Sequence, residues 1–237
     1  MYKGKKILAV VPARGGSKGI KLKNLRSVGG HTLIEWIAKT VKDSTTIDKI
    51  VASTDHDEIA KECENFNIEV PFRRPESLSG DRIGDLEVLT HALTESEKVY
   101  NTNFDVVVML QPTSPLRTSE HVEECIKKLI DNDFDSVWTV SETDSKGHPF
   151  KQLTIEGENL EYYDKENGGK IIARQQLTPV YHRNGAAYAI SRDCLLGQKS
   201  IMGKKSSYHL IQGSMISIDS EFDIDLVNYF LSKKNCT

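Results

Sequence analysis

Cysteine is sparse in this chain of 237 residues: Cys63, Cys125, Cys194 and Cys236 stand far apart, with no C-x-x-C pair and no metal-ligand spacing. That excludes a disulfide-stapled framework and a zinc module, and the expectation is free thiols in a reducing cytoplasm. Long apolar runs are missing as well. The run that follows the basic start, Ile7 to Val11, stops at Pro12, too short for the core of a secretion signal or for a membrane span, so no membrane partner is expected. An excess of positive charge is also lacking, since 31 Lys and Arg face 34 Asp and Glu for a net charge of −3. No global field draws nucleic acid, and any anion site must be local. Internal repeats and low-complexity tracts are absent, while 38% hydrophobic and 27% charged residues describe an ordinary globular chain. At this length a single domain over residues 1–237 is expected.

What is present is an alternation of apolar bursts and helical patterns. Ile7 to Val11 reads as a strand, and Leu33, Ile34, Ile37 and Val41 then fall on one helix face. Ile50 to Ser53 reads as a second strand, followed by Asp55 as the expected N-cap of a helix carrying Ile59, Ala60, Cys63 and Phe66. Leu86, Leu89, Leu93 and Val99 mark another helix, Phe104 to Leu110 the most apolar strand, and Thr118 the start of a helix with Val122, Cys125, Ile126, Leu129 and Ile130 inward. Ser136 to Val140, Ala186 to Ile190 and Met215 to Ile218 read as further strands, the last leading into a helix with Phe222, Leu226, Tyr229 and Phe230. Strands without polar alternation, separated by helices, indicate an α/β fold with a doubly wound, mostly parallel sheet. Residues 142–178 break the pattern with short β-like pieces and turn residues, and are expected to form a projecting arm or hairpin within the domain.

The segment from Ala13 to Leu25 (ARGGSKGIKLKNL) follows directly on the first strand. Its glycines let backbone N–H groups close on an anion, and Arg14, Lys18, Lys21 and Lys23 supply charge that the whole chain does not. It matches neither G-x-x-x-x-G-K-[ST] nor G-x-G-x-x-G. Ligands of doubly wound sheets bind at the carboxyl ends of strands, where this loop stands, so phosphates are the expected ligand.

From Ala13 to Asn24 the loop resembles the signature of the CMP-acylneuraminate synthetases, cytidylyltransferases that activate sialic acids and related nine-carbon ulosonic acids. Four further motifs in the same order extend the resemblance over essentially the whole chain: Arg74 to Asp81 (RPESLSGD), Leu110 to Arg117 (LQPTSPLR), Arg174 to Gln176 with Arg183 to Tyr188 (RNGAAY), and Ser217 to Asp223 (SIDSEFD). The resemblance implies a nucleotide-diphospho-sugar-transferase-like, Rossmann-like fold with a small dimerisation arm. It also implies a homodimer, CTP and a nonulosonic acid as substrates, Mg²⁺ or Mn²⁺ as cofactor, and a CMP-sugar that feeds a cell-surface polysaccharide.

By the same resemblance Arg14, Ser17 and Lys23 hold the triphosphate and Asn24 lies near the nucleotide. Their chemistry agrees, since a guanidinium forks onto two phosphate oxygens, a hydroxyl donates, and an ammonium is a point charge. Arg74 is implied at the base, with Ile83 and Asp85 in the stretch that tells cytosine from uracil, and Gln111 between nucleotide and sugar. Telling cytosine from uracil takes an acceptor for the exocyclic amine, supplied by a backbone carbonyl or by Asp85. Lys151, Arg174 and Tyr188 match sugar-binding positions, with Arg174 the expected receptor for the acid's carboxylate. Asp219 is the implied metal ligand and Asp223 a weaker second, with Ser217 standing where the family usually has its first Asp. Arg14, Lys23 and Asp219 are therefore the expected catalytic groups. The sequence leaves open whether the acid is N-acetylneuraminate, legionaminate or pseudaminate, a choice to which Leu195 to Ser207 is expected to contribute. It also leaves two rivals, a synthetase for an eight-carbon ulosonic acid and a non-catalytic CTP-binding module.

Overall fold

The computed structural model describes residues 1–234. Cys236 lies outside them, and Cys63, Cys125 and Cys194 are free and buried. The chain runs β1 (Ile7–Pro12), β2 (Ser27–Val28), β3 (His31–Thr32), α1 (Leu33–Val41), β4 (Lys49–Ser53), α2 (Asp57–Asn65), α3 (Asp85–Tyr100) and β5 (Val106–Met109). It continues with α4 (Ser119–Asp131), β6 (Ser136–Glu142), β7 (Leu153–Glu156), β8 (Asn159–Tyr162), β9 (Tyr181–Ser191), β10 (Ser206–Leu210) and α5 (Glu221–Lys234).

Six strands form the main sheet in the order β10-β6-β9-β5-β1-β4. β1 is parallel to both β4 and β5, and β6 is parallel to β10, whereas β9 runs antiparallel to β5 and β6. The unbroken apolar run of β1 follows from its central place, because both of its faces are covered. Ile7, Ala9 and Val11 pack with Ile34, Ile37, Ile59, Cys63, Cys125 and Leu129 from α1, α2 and α4. Leu8 and Val10 point the other way, toward Leu89, Ala92 and Leu93 of α3. A third cluster joins Ile20, Val28, Leu33 and Ile218 to Ile224 and Val227 of α5, so the cationic loop is backed by the C-terminal helix.

Three expectations need correction, and one strand was not foreseen. Asp55 does not cap α2, which begins after His56 without a side-chain cap; its carboxylate accepts instead from the Gly15 amide at 2.9 Å. Met215 to Ile218 is not a strand, and its tie to the sheet region is a hydrogen bond from Ile218 N to Thr113 O at 2.9 Å. The remaining strand of the sheet is β10, in a stretch with no motif of its own. In α5 the buried residues include Ile224 and Val227, while Phe222 and Tyr229 are exposed.

Between β6 and β9 the chain leaves the sheet. A turn at Pro149–Lys151 leads into the antiparallel pair β7 and β8, closed through Gly157 at φ 63°. Every residue of both strands is exposed, Ile155 and Leu160 among them.

A cationic cleft at the carboxyl ends of β1, β4 and β5

Parallel β1, β4 and β5 end side by side, and the segments that follow them wall a cleft of about 620 Å³. Arg14, Ser17, Lys18, Gly19, Lys23 and Asn24 come from the loop after β1, Arg74, Asp81, Ile83 and Asp85 from the approach to α3, and Gln111 from the end of β5. Ser217 and Asp219 close the remaining side.

Local forces hold the loop in shape. Gly15 sits against the His56 ring, where a Cβ would come within 2.7 Å of Cδ2. At Gly19 a Cβ would stand 2.5 Å from the Asp219 carbonyl oxygen, so glycine is what lets the loop touch the C-terminal motif. Leu22 adopts the left-handed conformation at φ 47° and turns the chain into the short helix Lys23–Leu25. Buried Asn24 donates from Nδ2 to the Arg14 carbonyl at 3.1 Å, bracing the loop from within.

The cations are poised. The Lys23 ammonium, 15% exposed, donates to the Ile218 carbonyl and to Asp219 Oδ1, both at 2.8 Å, while Asp219 is 76% exposed. Arg14 pairs with Asp81 at 2.9 Å and Lys18 grips the other oxygen of the same carboxylate at 2.6 Å. The hydrogen bond from Lys18, with both cations' charge, holds the Asp81 carboxyl below the usual range. Arg74 is buried, donating to Ser53 Oγ at 2.9 Å and to the Ser53 carbonyl at 2.5 Å. Burial, with repulsion from Arg14, pushes its guanidinium down to about 10. Asp85, at the start of α3, is raised by burial, against the pull of Arg183 and Arg74.

Asp81 occupies two of the cations that line the cleft, Arg14 and Lys18, so an incoming polyanion must displace or share it. Exposed pairs of this kind are weak and screened by solvent, so a ligand of higher charge displaces them readily. Asp81→Asn is therefore expected to tighten CTP binding by about two- to tenfold in titration calorimetry. Weaker binding would instead make Asp81 a direct contact of the nucleotide.

Nine expected residues thus meet in one cleft: Arg14, Ser17, Lys23, Asn24, Arg74, Ile83, Asp85, Gln111 and Asp219. Four do not line it. Lys151 sits exposed in the turn before β7, and Arg174 lines a separate cavity of about 310 Å³ at the base of the hairpin with His148. Tyr188 is 2% exposed, its hydroxyl accepting from the Gly185 amide at 2.9 Å. Asp223 accepts through Oδ2 from Asp219 N, Ser220 N and Ser220 Oγ at 3.0, 2.7 and 2.8 Å, which makes it the first-turn partner of Ser220 in a capping box at the start of α5. No residue from 195 to 207 lines the cleft either. Sequence reasoning missed Ser53 and Asp55 as supports of Arg74 and the loop; the signal available was their place at the end of the strand paired with β1.

No three His, Cys, Asp or Glu cluster as a metal centre among the described residues. A cation shared with phosphate oxygens needs one or two carboxylates, and exposed Asp219 beside Ser217 fits that demand.

The family model described as cytidylyltransferase matches residues 8–232. The chain belongs to the cytidylyltransferase family. Among the relatives of this cytidylyltransferase is the post-translational flagellin modification protein B of Campylobacter coli, 31% identical over 230 residues, covering 97% of this chain and 96% of that protein. The CMP-N,N'-diacetyllegionaminic acid synthase of Campylobacter jejuni is 32% identical with the same coverage, 97% and 96%. The N-acylneuraminate cytidylyltransferase of Escherichia coli is 28% identical over 237 residues, covering 97% of this chain and 53% of that protein. The fold of this cytidylyltransferase is shared with a CMP:2-keto-3-deoxy-manno-octonic acid synthetase solved with CTP, at a TM-score of 0.69 and 14% identity over 97% of this chain and 99% of that one.

Proposed function

We propose that this cytidylyltransferase joins CMP from CTP to the anomeric hydroxyl of a nonulosonic acid and releases pyrophosphate. The observation that carries the reading is the gathering of Arg14, Lys23, Arg74, Gln111 and Asp219 around one cleft at the carboxyl ends of three parallel strands. The anomeric oxygen attacks the α-phosphorus in line; the new O–P bond forms as the bond to the β-phosphate oxygen breaks, and the leaving pyrophosphate takes the electron pair. Such chemistry is mostly positioning and charge neutralisation. Arg14 and Lys23, already fixed by their partners, meet the β- and γ-phosphates with little reorganisation, and Ser17 donates beside them. Arg74 and Asp85 take the base, Asp85 accepting from the exocyclic amine of cytosine. Asp219 would hold Mg²⁺ or Mn²⁺ together with phosphate oxygens, and the ion would offset charge on the departing pyrophosphate. No histidine lines the cleft among the described residues.

Lys151 and Arg174 act on the sugar in a homodimer under this reading. An isolated two-stranded hairpin is marginal in water, and β7–β8 exposes Ile155 and Leu160, with Ile172 92% exposed nearby. A second copy that covers this hairpin would receive Arg174 and Lys151 at its own cleft. Location in the cytoplasm accords with the free thiols and with the absence, among the described residues, of any helix long and apolar enough to cross a membrane.

The diacetylated legionaminate class is the acid to try first, because the relative so named aligns from end to end whereas the N-acylneuraminate relative is matched over 53% of its length. Pyrophosphate release is measured with CTP and legionaminate, pseudaminate, N-acetylneuraminate or 3-deoxy-manno-octulosonate. The expected result is release with a nine-carbon acid and not with the eight-carbon one. CTP binding without release for any acid would leave the non-catalytic module.

A further inference from the structure

The loop after β5 contains a cation that the chemistry above does not use. Arg117 is 5% exposed, and no carboxylate pairs with it among the described residues. Its guanidinium donates to two backbone carbonyls instead, Ala186 at 2.7 Å and Gln111. Burial alone pushes it down to about 9, with Tyr188 the one ionisable neighbour opposing the shift. A buried cation without a counter-ion is a costly way to satisfy two carbonyls.

Its two acceptors lie on the elements that meet behind the cleft. Opposite Thr139 of β6, β9 bulges, so that Asn184 to Ala187 stand against a single partner residue. The bulge is pinned by a buried polar network: Thr139 Oγ1 to Asn184 Oδ1 at 2.7 Å, Asn184 Nδ2 to Ser141 Oγ at 3.0 Å, and Ser114 Oγ to the Asn184 carbonyl at 2.8 Å. At its crest Gly185, with φ 72°, is pressed against the Gln111 side chain; a Cβ there would collide with Gln111 Oε1 and stand 2.6 Å from Ser114 Oγ. Gln111 lines the cleft, and its side-chain amide makes no hydrogen bond among the described residues.

We propose that Arg117 is a positioning residue of this site: by tying the Gln111 carbonyl to Ala186 of the bulge, its buried guanidinium fixes the Gln111 side chain against Gly185 and presents it to the substrates. The unpaired charge suits this place because both substrates are anions and neither Gln111 nor the bulge carries charge of its own. The proposal rests on the functional reading for its rate effect but not for its geometry.

The test compares R117Q and R117K with the wild type in kcat, in CTP affinity by calorimetry, and in the ¹⁵N resonance of the Gln111 side-chain amide. Displacing a group by about an ångström costs on the order of 100-fold. R117Q is expected to lose about 100-fold in kcat while CTP affinity stays within about threefold, and to shift the Gln111 resonance. R117K, which keeps the charge, is expected to recover about tenfold over R117Q. A kcat within about threefold of wild type, an unmoved resonance, or kcat and CTP affinity falling together would overturn the proposal. Should R117Q not fold, R117K decides by the same readouts, and an unfolded R117K makes Arg117 a structural brace and overturns it. If the wild type releases no pyrophosphate with any acid, the functional reading fails, while the resonance still decides on Arg117.

Discussion

Lys23→Met is expected to lower kcat/KM for CTP by about 10²–10³-fold, the range seen when one preorganised charge donor is removed from an active site. The ammonium is largely enclosed and already held by the Ile218 carbonyl and Asp219, so wild type spends little free energy on ordering it when the triphosphate arrives. Methionine keeps the aliphatic stem and loses the charge. It also leaves Asp219 without its cation, so a negative group then faces a negative ligand. The effect therefore exceeds that of losing an exposed pair, about 0.2–1 kcal/mol. Steady-state pyrophosphate release, with circular dichroism to establish the fold, checks it. A change smaller than about tenfold would remove Lys23 from the phosphate site.

Asp219→Ala separates two roles of one carboxylate. With Mg²⁺ present, turnover is expected to disappear, because among the described residues Asp219 is the one cleft carboxylate that is neither shared between Arg14 and Lys18, as Asp81 is, nor half-buried within the field of Arg74, as Asp85 is. In chelator, CTP should bind the variant at least as well as the wild type, since a like charge has left the site and Lys23 is released toward the ligand. Calorimetry with and without Mg²⁺ reads both halves. Unchanged turnover would refute the ligand role, and weaker binding in chelator would show that Asp219 serves chiefly to orient Lys23.

The parts of the fold that were legible were those set by local pattern. β1 and β5 are apolar on both faces because helices cover both, and that signature survives in the bare sequence. Thr118 was equally plain, capping α4 through a reciprocal hydrogen-bond pair with His121. Features fixed by distant partners were not: Ala186 to Ile190 read as a strand, but neither its direction nor its bulge did. β9 runs against its neighbours and carries a bulge organised by Thr139, Ser114 and Arg117, none of which is local to it. β10 is half-buried and polar, an edge strand whose only pairing is with β6. Asp55 had the right residue type for a cap, yet the Gly15 amide on the neighbouring strand's loop claimed its carboxylate. Within the cleft, the loop from Ala13 to Asn24 was legible as one unit because its glycines and cations sit consecutively. Arg174, Lys151 and Tyr188, the residues expected at the sugar, lie in three different surroundings of a single chain, so no local pattern joins them.

The strand order also dictates a timetable for assembly on the ribosome. β1, β4 and β5 pair among themselves, so half of the sheet can form once residue 109 has emerged. β6 must then wait, because its partners β9 and β10 are made only after the whole 142–178 excursion. Loop closure over such separations slows folding and leaves the free edges of β5 and β6 open meanwhile. A nascent chain stalled between residues 142 and 181 would thus carry an unsealed sheet and a cationic loop still without its backing from Ile218, Ile224 and Val227, and would be the species most in need of a chaperone.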